Sequence, residues 1–282
     1  MLVISTVSGT RARRAEIAFT GRRLAFVPTM GALHEGHLAL VRHGRELADE
    51  VWASVFINPT QFAPGEDFDR YPRDLERDRA LLEQTGATLL FAPAPKEIYP
   101  SPAATVIDLP ELTEGLCGAH RPGHFRGVAL VVAKLLNIVQ PHVALFGAKD
   151  WQQAVIIRRM VVDLCMPVRL EIHPTEREDD GVARSSRNAY LAADERRAAT
   201  LLSRSLESAA AAIRAGERSG AAIEVMVAAE VAEEPLAHLQ YVATVDPDTL
   251  APLATIRDRA LVALAVHVGT TRLIDNVLVE VS

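Results

Sequence analysis

The segment Leu24-Ala-Phe-Val-Pro-Thr-Met-Gly-Ala-Leu-His-Glu-Gly-His37 runs from a short apolar stretch through Gly31 into helical spacing, with Leu38, Val41 and Leu47 continuing the periodic face. A buried strand that turns through glycine into a helix is the repeating unit of a parallel sheet. The alternation continues outward. Residues 51–57, 88–92, 143–146 and 168–172 read as strands, and residues 36–50, 74–84, 127–139 and 150–164 as helices. A charged, glycine-containing run at 175–181 then reads as a hinge. Beyond it come two Ala-rich helices (194–215 and 221–233) and three strands (238–245, 259–268 and 271–281), the middle one almost wholly apolar. The expected fold is α/β: a Rossmann-like parallel sheet with helices on both faces over residues 1–175, and a smaller α+β domain over 176–282. Ligands of such sheets bind at the carboxyl ends of the strands.

Composition narrows the class. The 282 residues carry 30 lysines and arginines against 36 acidic residues, a formal charge of −6, with 49% hydrophobic side chains. That balance is ordinary for a soluble globular chain. Mild acidity argues against a nucleic-acid groove, and the one dense basic cluster, at 11–14, reads as solvated surface. Two cysteines, Cys117 and Cys165, suggest a reducing compartment. The first residues lack the basic head and long apolar run of a signal peptide, and no stretch reaches the ~18 apolar residues of a membrane helix. The expectation is a cytoplasmic enzyme or binding protein.

His34 and His37 lie three apart, so at the first turn of a helix both imidazoles share a face with free backbone N–H groups. Ring nitrogens, amides and the positive end of the helix dipole suit a phosphate. Gly36 leaves room for a flat ring such as adenine. His34-Glu-Gly-His37 falls one residue short of the zinc-protease pattern, and neither common Gly-rich phosphate motif is present. Two surface histidines at a helix start are the plain alternative; their conjunction with Gly31 and Gly36 after a strand favours phosphate.

Further polar groups follow strands. Asn58 and Gln61 flank Pro59, and their amides can serve a substrate with hydroxyls and a carboxylate, although Asn-Pro is also a common capped turn. The helix opening at Gly147 places Lys149 and Gln153 at i, i+4; the lysine opposes the dipole, which suggests a task beyond surface charge. Ser185-Ser-Arg-Asn188 offers two hydroxyls and a guanidinium able to grip phosphate, yet alone reads as a polar loop. Arg121, His124 and Arg126 form a basic cluster. Asp74 and Asp78 share a helix face that could hold a metal through waters or simply face solvent.

The histidine segment resembles the HxGH signature of nucleotidyltransferases related to class I aminoacyl-tRNA synthetases. Six further blocks, in order between residues 26 and 191, resemble the pantothenate synthetase (pantoate–β-alanine ligase) family. They are Phe56-Ile-Asn-Pro-Thr-Gln-Phe62, Arg70-Tyr-Pro-Arg-Asp74, Arg121-Pro-Gly-His-Phe-Arg-Gly-Val128, Lys134-Leu-Leu-Asn-Ile-Val-Gln-Pro141, Phe146-Gly-Ala-Lys-Asp-Trp-Gln-Gln153 and Ser185-Ser-Arg-Asn188. The resemblance implies an AMP-forming ligase that condenses pantoate with β-alanine through a pantoyl adenylate. It implies ATP contacts from Met30, Gly31, His34, Gly36, His37, Gly147, Ala148, Lys149, Asp150, Glu176, Arg184, Ser185, Ser186 and Arg187. It places pantoate and β-alanine against Met30, Asn58, Gln61, Arg121 and Gln153, and makes His37, His34, Lys149, Ser186 and Arg187 the catalytic set.

Mg2+ is expected with ATP, and Asp78 is its candidate ligand. The expected partners are the small-molecule substrates and a second copy in a homodimer formed through the first domain, without nucleic acid or membrane. The C-terminal domain is expected to act as a lid that keeps water from the adenylate. Arg184 and Glu176 stand where the family usually has apolar residues. ATP binding survives if those positions act through backbone atoms and weakens if their side chains pack on adenine. Another HxGH nucleotidyltransferase, a non-catalytic nucleotide sensor and an interaction scaffold are the alternatives.

Overall fold

The computed structural model describes residues 1–63 and 65–281. In chain order its elements are β1 (Leu2–Ile4), α1 (Val7–Phe19), β2 (Leu24–Thr29), α2 (Glu35–Leu47), β3 (Glu50–Val55), α3 (Leu75–Thr85), β4 (Leu89–Phe91), and the short helices α4 (Pro95–Ile98), α5 (Pro110–Thr113) and α6 (Leu116–His120). Then follow α7 (His124–Val139), β5 (Val143–Gly147), α8 (Trp151–Asp163), β6 (Arg169–His173), α9 (Ala193–Arg214), α10 (Gly220–Ala232), β7 (Ala237–Val245), β8 (Arg259–Val268) and β9 (Thr271–Glu280).

The chain forms two compact units. The first holds Met1–Thr113, Arg121–Ala148 and Ile156–Pro174; the second holds Glu114–His120, Lys149–Val155 and the chain from Thr175. The change at Thr175 falls where the charged run begins, but two short segments before it group with the C-terminal unit.

In the first unit six strands form one parallel sheet in the order β1-β4-β3-β2-β5-β6. Strands covered on both faces must be apolar throughout, and β2, β3 and β4 are almost continuously buried. Helix α7 buries Val128, Val132, Leu135, Leu136 and Val139, while Leu40 and Val41 of α2 join Val27, Val51, Ala53 and Leu145 in the core. From β2 the chain builds β3 and β4 to one side, then returns to place β5 and β6 on the other. The order therefore reverses between β2 and β5, which opens a crevice at their carboxyl ends.

Two elements of this unit escape a sequence reading. The three-residue β1 pairs with β4 at an edge, and α1 buries only Thr10 and Ile17 while Phe19 is 92% exposed. The basic cluster on α1 is partly anchored rather than wholly solvated. Arg13 pairs with Glu16 and the buried Glu50, and Arg14 Nε donates to the Gln140 carbonyl at 2.8 Å.

The second unit contains the antiparallel sheet β7-β8-β9, with the apolar β8 at its centre. Ala199, Leu202, Leu206 and Ile213 of α9 and Ile223 and Val227 of α10 share a core with Val262, Leu264 and Val266 of β8. The charged run is not slack: Arg177 bridges to Ala183 in antiparallel fashion and forms a two-point ion pair with the buried Asp275 at 2.6 and 3.0 Å.

Candidate active site

At the crevice, β2 ends in Thr29 and the chain turns through Gly31 (φ 85°) and Ala32 (φ 51°) before α2 begins at Glu35. The left-handed turn explains Gly31, where a Cβ would lie 2.9 Å from Asp78 Oδ2 and 3.0 Å from Val55 Cγ1. Asp78 shapes the turn. It is 1% exposed on α3, and its carboxylate accepts the Ala32 N–H at 2.9 Å and the Leu33 N–H at 2.8 Å. Burial pushes its carboxyl above the usual range, against the pull of both amides and Arg77. The expectation of a solvated face for Asp78 does not hold: its carboxylate lies buried beneath the loop.

The helix starts at Glu35, one residue before the expected 36–50, so His37 lies in its first turn but His34 does not. His34 is the N-cap with extended backbone. Its N–H nonetheless donates to His37 Nδ1 at 3.4 Å, and the two rings lie 4.1 Å apart between centroids. With Nδ1 accepting, the proton of neutral His37 sits on Nε2. Gly36 occupies the first turn of α2.

A buried polar cluster follows β3. Asn58 is 1% exposed and Gln61 8%. Asn58 Nδ2 donates to Gln61 Oε1 and to the Gly127 carbonyl, both at 3.1 Å, while its Oδ1 accepts from Thr60 and from the Tyr99 hydroxyl. Both ends of the Asn58 carboxamide are thus engaged within the protein. Gln61 Nε2 faces Met30 Sδ at 2.8 Å. Arg121 is likewise committed: Nε and Nη2 donate to Glu66 at 2.7 and 2.6 Å, Nη1 lies 3.0 Å from His124 Nε2, and Nη2 reaches the Gln61 carbonyl at 3.5 Å. Burial alone would raise the Glu66 carboxyl, but the Arg121 guanidinium holds it below the usual range. Glu66, Thr60 and Tyr99 carry no sequence signal for these roles, which are visible only once the chain is folded.

After β5, Gly147 leads into a 3-10 turn over Ala148–Asp150, with α8 starting at Trp151. Lys149 and Gln153 therefore do not share one regular helix. In the second unit the Lys149 carbonyl accepts from Asn276 Nδ2 at 2.8 Å. Gln153 is half-buried, whereas Gln152 is buried and bonds Cys117 N–H and the Gly115 carbonyl at 3.0 and 2.9 Å. Ser185 caps a 3-10 helix, Ser186–Tyr190, its hydroxyl accepting the Arg187 N–H at 3.3 Å. Asn188 pins that helix to Glu178 and Ala183. The Arg184 backbone N–H donates to the Glu176 carbonyl at 2.9 Å, and its buried Nε has no protein hydrogen-bond partner among the described residues.

The profile of the pantoate-beta-alanine ligase family matches residues 2–278. The chain is 51% identical over 278 residues to a pantothenate synthetase of Thermoanaerobacter pseudethanolicus, covering 99% of this chain and 98% of that one. It is 52% identical over 282 residues to the pantothenate synthetase of Moorella thermoacetica, covering all of both. Among solved structures, the pantothenate synthetase of Thermus thermophilus superposes with a TM-score of 0.93 at 46% identity, over 98% of this chain and 99% of that one. A pantoate-beta-alanine ligase from Francisella tularensis, complexed with beta-gamma ATP and beta-alanine, gives 0.81 at 31% identity, over 99% and 97%.

Proposed function

The chain belongs to the pantoate–β-alanine ligase family and condenses pantoate with β-alanine at the expense of ATP; we propose that it does so through a pantoyl adenylate formed at the crevice between β2 and β5. A pantoate carboxylate oxygen attacks the α-phosphorus, the bond to the bridging oxygen breaks, and pyrophosphate leaves. The neutral amine of β-alanine then attacks the acyl carbon, the carbon–oxygen bond to the phosphate breaks, and AMP departs with that oxygen while the nitrogen loses a proton to solvent. No covalent enzyme intermediate is needed, so the protein's task is positioning and charge stabilisation.

The histidine cap at the sheet's switch point carries this reading. His34 orients His37 so that its Nε2–H, with the first amides of α2, points a preorganised set of donors at the triphosphate. Lys149, Ser186 and Arg187 supply charge and donors to the phosphates, with Gly31, Gly36, Gly147, Ala148, Asp150 and Ser185 contributing backbone. The Arg184 N–H and the Glu176 carbonyl are bonded to each other, so these two positions would meet the nucleotide through their other main-chain atoms or their side chains. Met30, Gln61 and Gln153 hold the acid, and Arg121 supports Gln61 through its carbonyl. Among the described residues no three His, Cys, Asp or Glu side chains cluster as a metal site. Magnesium would accompany ATP and offset the charge of its phosphates.

We place the enzyme in the cytoplasm, where its two free cysteines stay reduced. No helix among the described residues is long and apolar enough to cross a membrane. We infer a homodimer through the first unit from Val162 and Leu164, exposed at the end of α8, and from β6 lying at an edge of the sheet. Sedimentation at micromolar concentration tests this; a monomer there contradicts it.

Pantoate labelled with 18O in its carboxylate tests the route. The adenylate route transfers one labelled oxygen to AMP. Label in inorganic phosphate, with ADP as co-product, would overturn it.

A further inference from the structure

Gln61 can present either end of its carboxamide to a substrate, and the two ends are chemical opposites: Nε2 donates and Oε1 accepts. The buried cluster behind it selects one. Asn58 Nδ2 donates to the Gly127 carbonyl at 3.1 Å, a group that can only accept, and Asn58 Oδ1 receives the Thr60 N–H at 3.3 Å, a group that can only donate. The remaining two donors to Oδ1 are hydroxyls, Thr60 Oγ1 at 3.0 Å and Tyr99 at 2.8 Å, the shortest of the set. With Asn58 held this way, its Nδ2 meets Gln61 Oε1 at 3.1 Å, and turning Gln61 over would set an NH2 against an NH2. Nε2 is left facing Met30 Sδ, a weak acceptor that a carboxylate replaces with gain.

We propose that Tyr99 is a positioning residue for the acid pocket: acting through Asn58, it fixes Gln61 with its NH2 toward the substrate and so selects an anionic acid over its neutral amide. The inference rests on the proposal above that Gln61 holds the acid. The Tyr99 ring is set for this role independently of its hydroxyl. It packs near Phe56, 6.2 Å between centroids, and lies under the Lys134 ammonium at 5.5 Å. Removing the hydroxyl alone therefore leaves the ring contacts in place. It also leaves Thr60 as the sole donor residue on Oδ1 among the described residues.

The test uses the full-length enzyme carrying Tyr99→Phe, alone and with Thr60→Val. Pantoate affinity is read from pantoate-dependent pyrophosphate exchange, and pantoamide is assayed as a competitive inhibitor in the same reaction. ATP affinity is measured by calorimetry. One lost neutral hydrogen bond weakens pantoate about two- to tenfold in Tyr99→Phe, and more in the double variant, with ATP affinity unchanged. Pantoamide, which a turned-over Gln61 can accept from, weakens less than pantoate, so the pantoate-to-pantoamide preference falls. Equal weakening of both acids, equal loss of ATP, or no change in either variant would overturn the proposal. A wild-type enzyme without pantoate-dependent exchange would instead refute the adenylation reading itself.

Discussion

Replacing Asp78 by asparagine should slow adenylation while leaving the fold intact. The carboxylate accepts two backbone N–H groups, from Ala32 and Leu33, at 2.9 and 2.8 Å. An asparagine oxygen can keep one of them but turns its NH2 toward the other. A hydrogen bond to a charged group contributes about 1.5–3 kcal/mol, and here one is lost with a buried donor left facing a donor. Burial of the charge works the other way. The Asp78 carboxyl lies above its ordinary 3.8 in the folded protein, so its stabilising contribution exists below that value and is lost as pH rises through the folded one. At neutral pH the ionised group costs the fold something, and the neutral amide recovers that part. The net penalty on the loop is about 1–3 kcal/mol, or about 5- to 150-fold in the population of the productive turn. Pyrophosphate exchange at saturating ATP and pantoate reads this loss, while thermal melting should move by only a few degrees. Exchange within about twofold of wild type would refute the idea that Asp78 shapes the turn ahead of the histidines.

His37→Ala removes one preorganised donor and should reduce single-turnover adenylation by about 10²-fold or more with unchanged circular dichroism. Gly127→Ala would set a Cβ 2.2 Å from the Thr60 carbonyl, so α7 and the 58–61 turn must part. The expected loss is about 1–3 kcal/mol in denaturant unfolding together with weaker pantoate binding. Glu66 is held below its ordinary 4.5 by Arg121, so its stabilising contribution is complete above pH 4.5 and fades as pH falls through the lower folded value. Melting curves of wild type and Glu66→Gln should therefore differ most near neutrality and converge below pH 4.5; a gap that widens in acid contradicts the clamp.

The parallel sheet was legible because its central strands are buried on both faces and written as apolar runs, as in β2 and β3. The central place of β8 follows from the same logic. The helix α1 was not legible, since a helix that buries little beyond Thr10 and Ile17 leaves no apolar stripe to read. In the candidate site, the residues whose chemistry suits phosphate or a hydroxy acid stood out as motifs. Their supports did not. Asp78 reads as one more charge on a polar helix face until the fold turns it under the 31–33 loop. Spacing likewise cannot show that Gly127, Thr60 and Tyr99 hold the Asn58 amide in place. A sequence reading puts both imidazoles in the first turn of the helix, whereas His34 is its N-cap, a geometry set by a backbone turn that periodicity does not encode.

Exchange of labelled pyrophosphate into ATP, in the presence of pantoate and absence of β-alanine, isolates the step assigned to the histidine cap. Label should enter ATP only when pantoate is added, and should drop by about two orders of magnitude in His37→Ala. Exchange that ignores pantoate, or that appears only once the amine is supplied, would contradict acyl adenylation at this crevice.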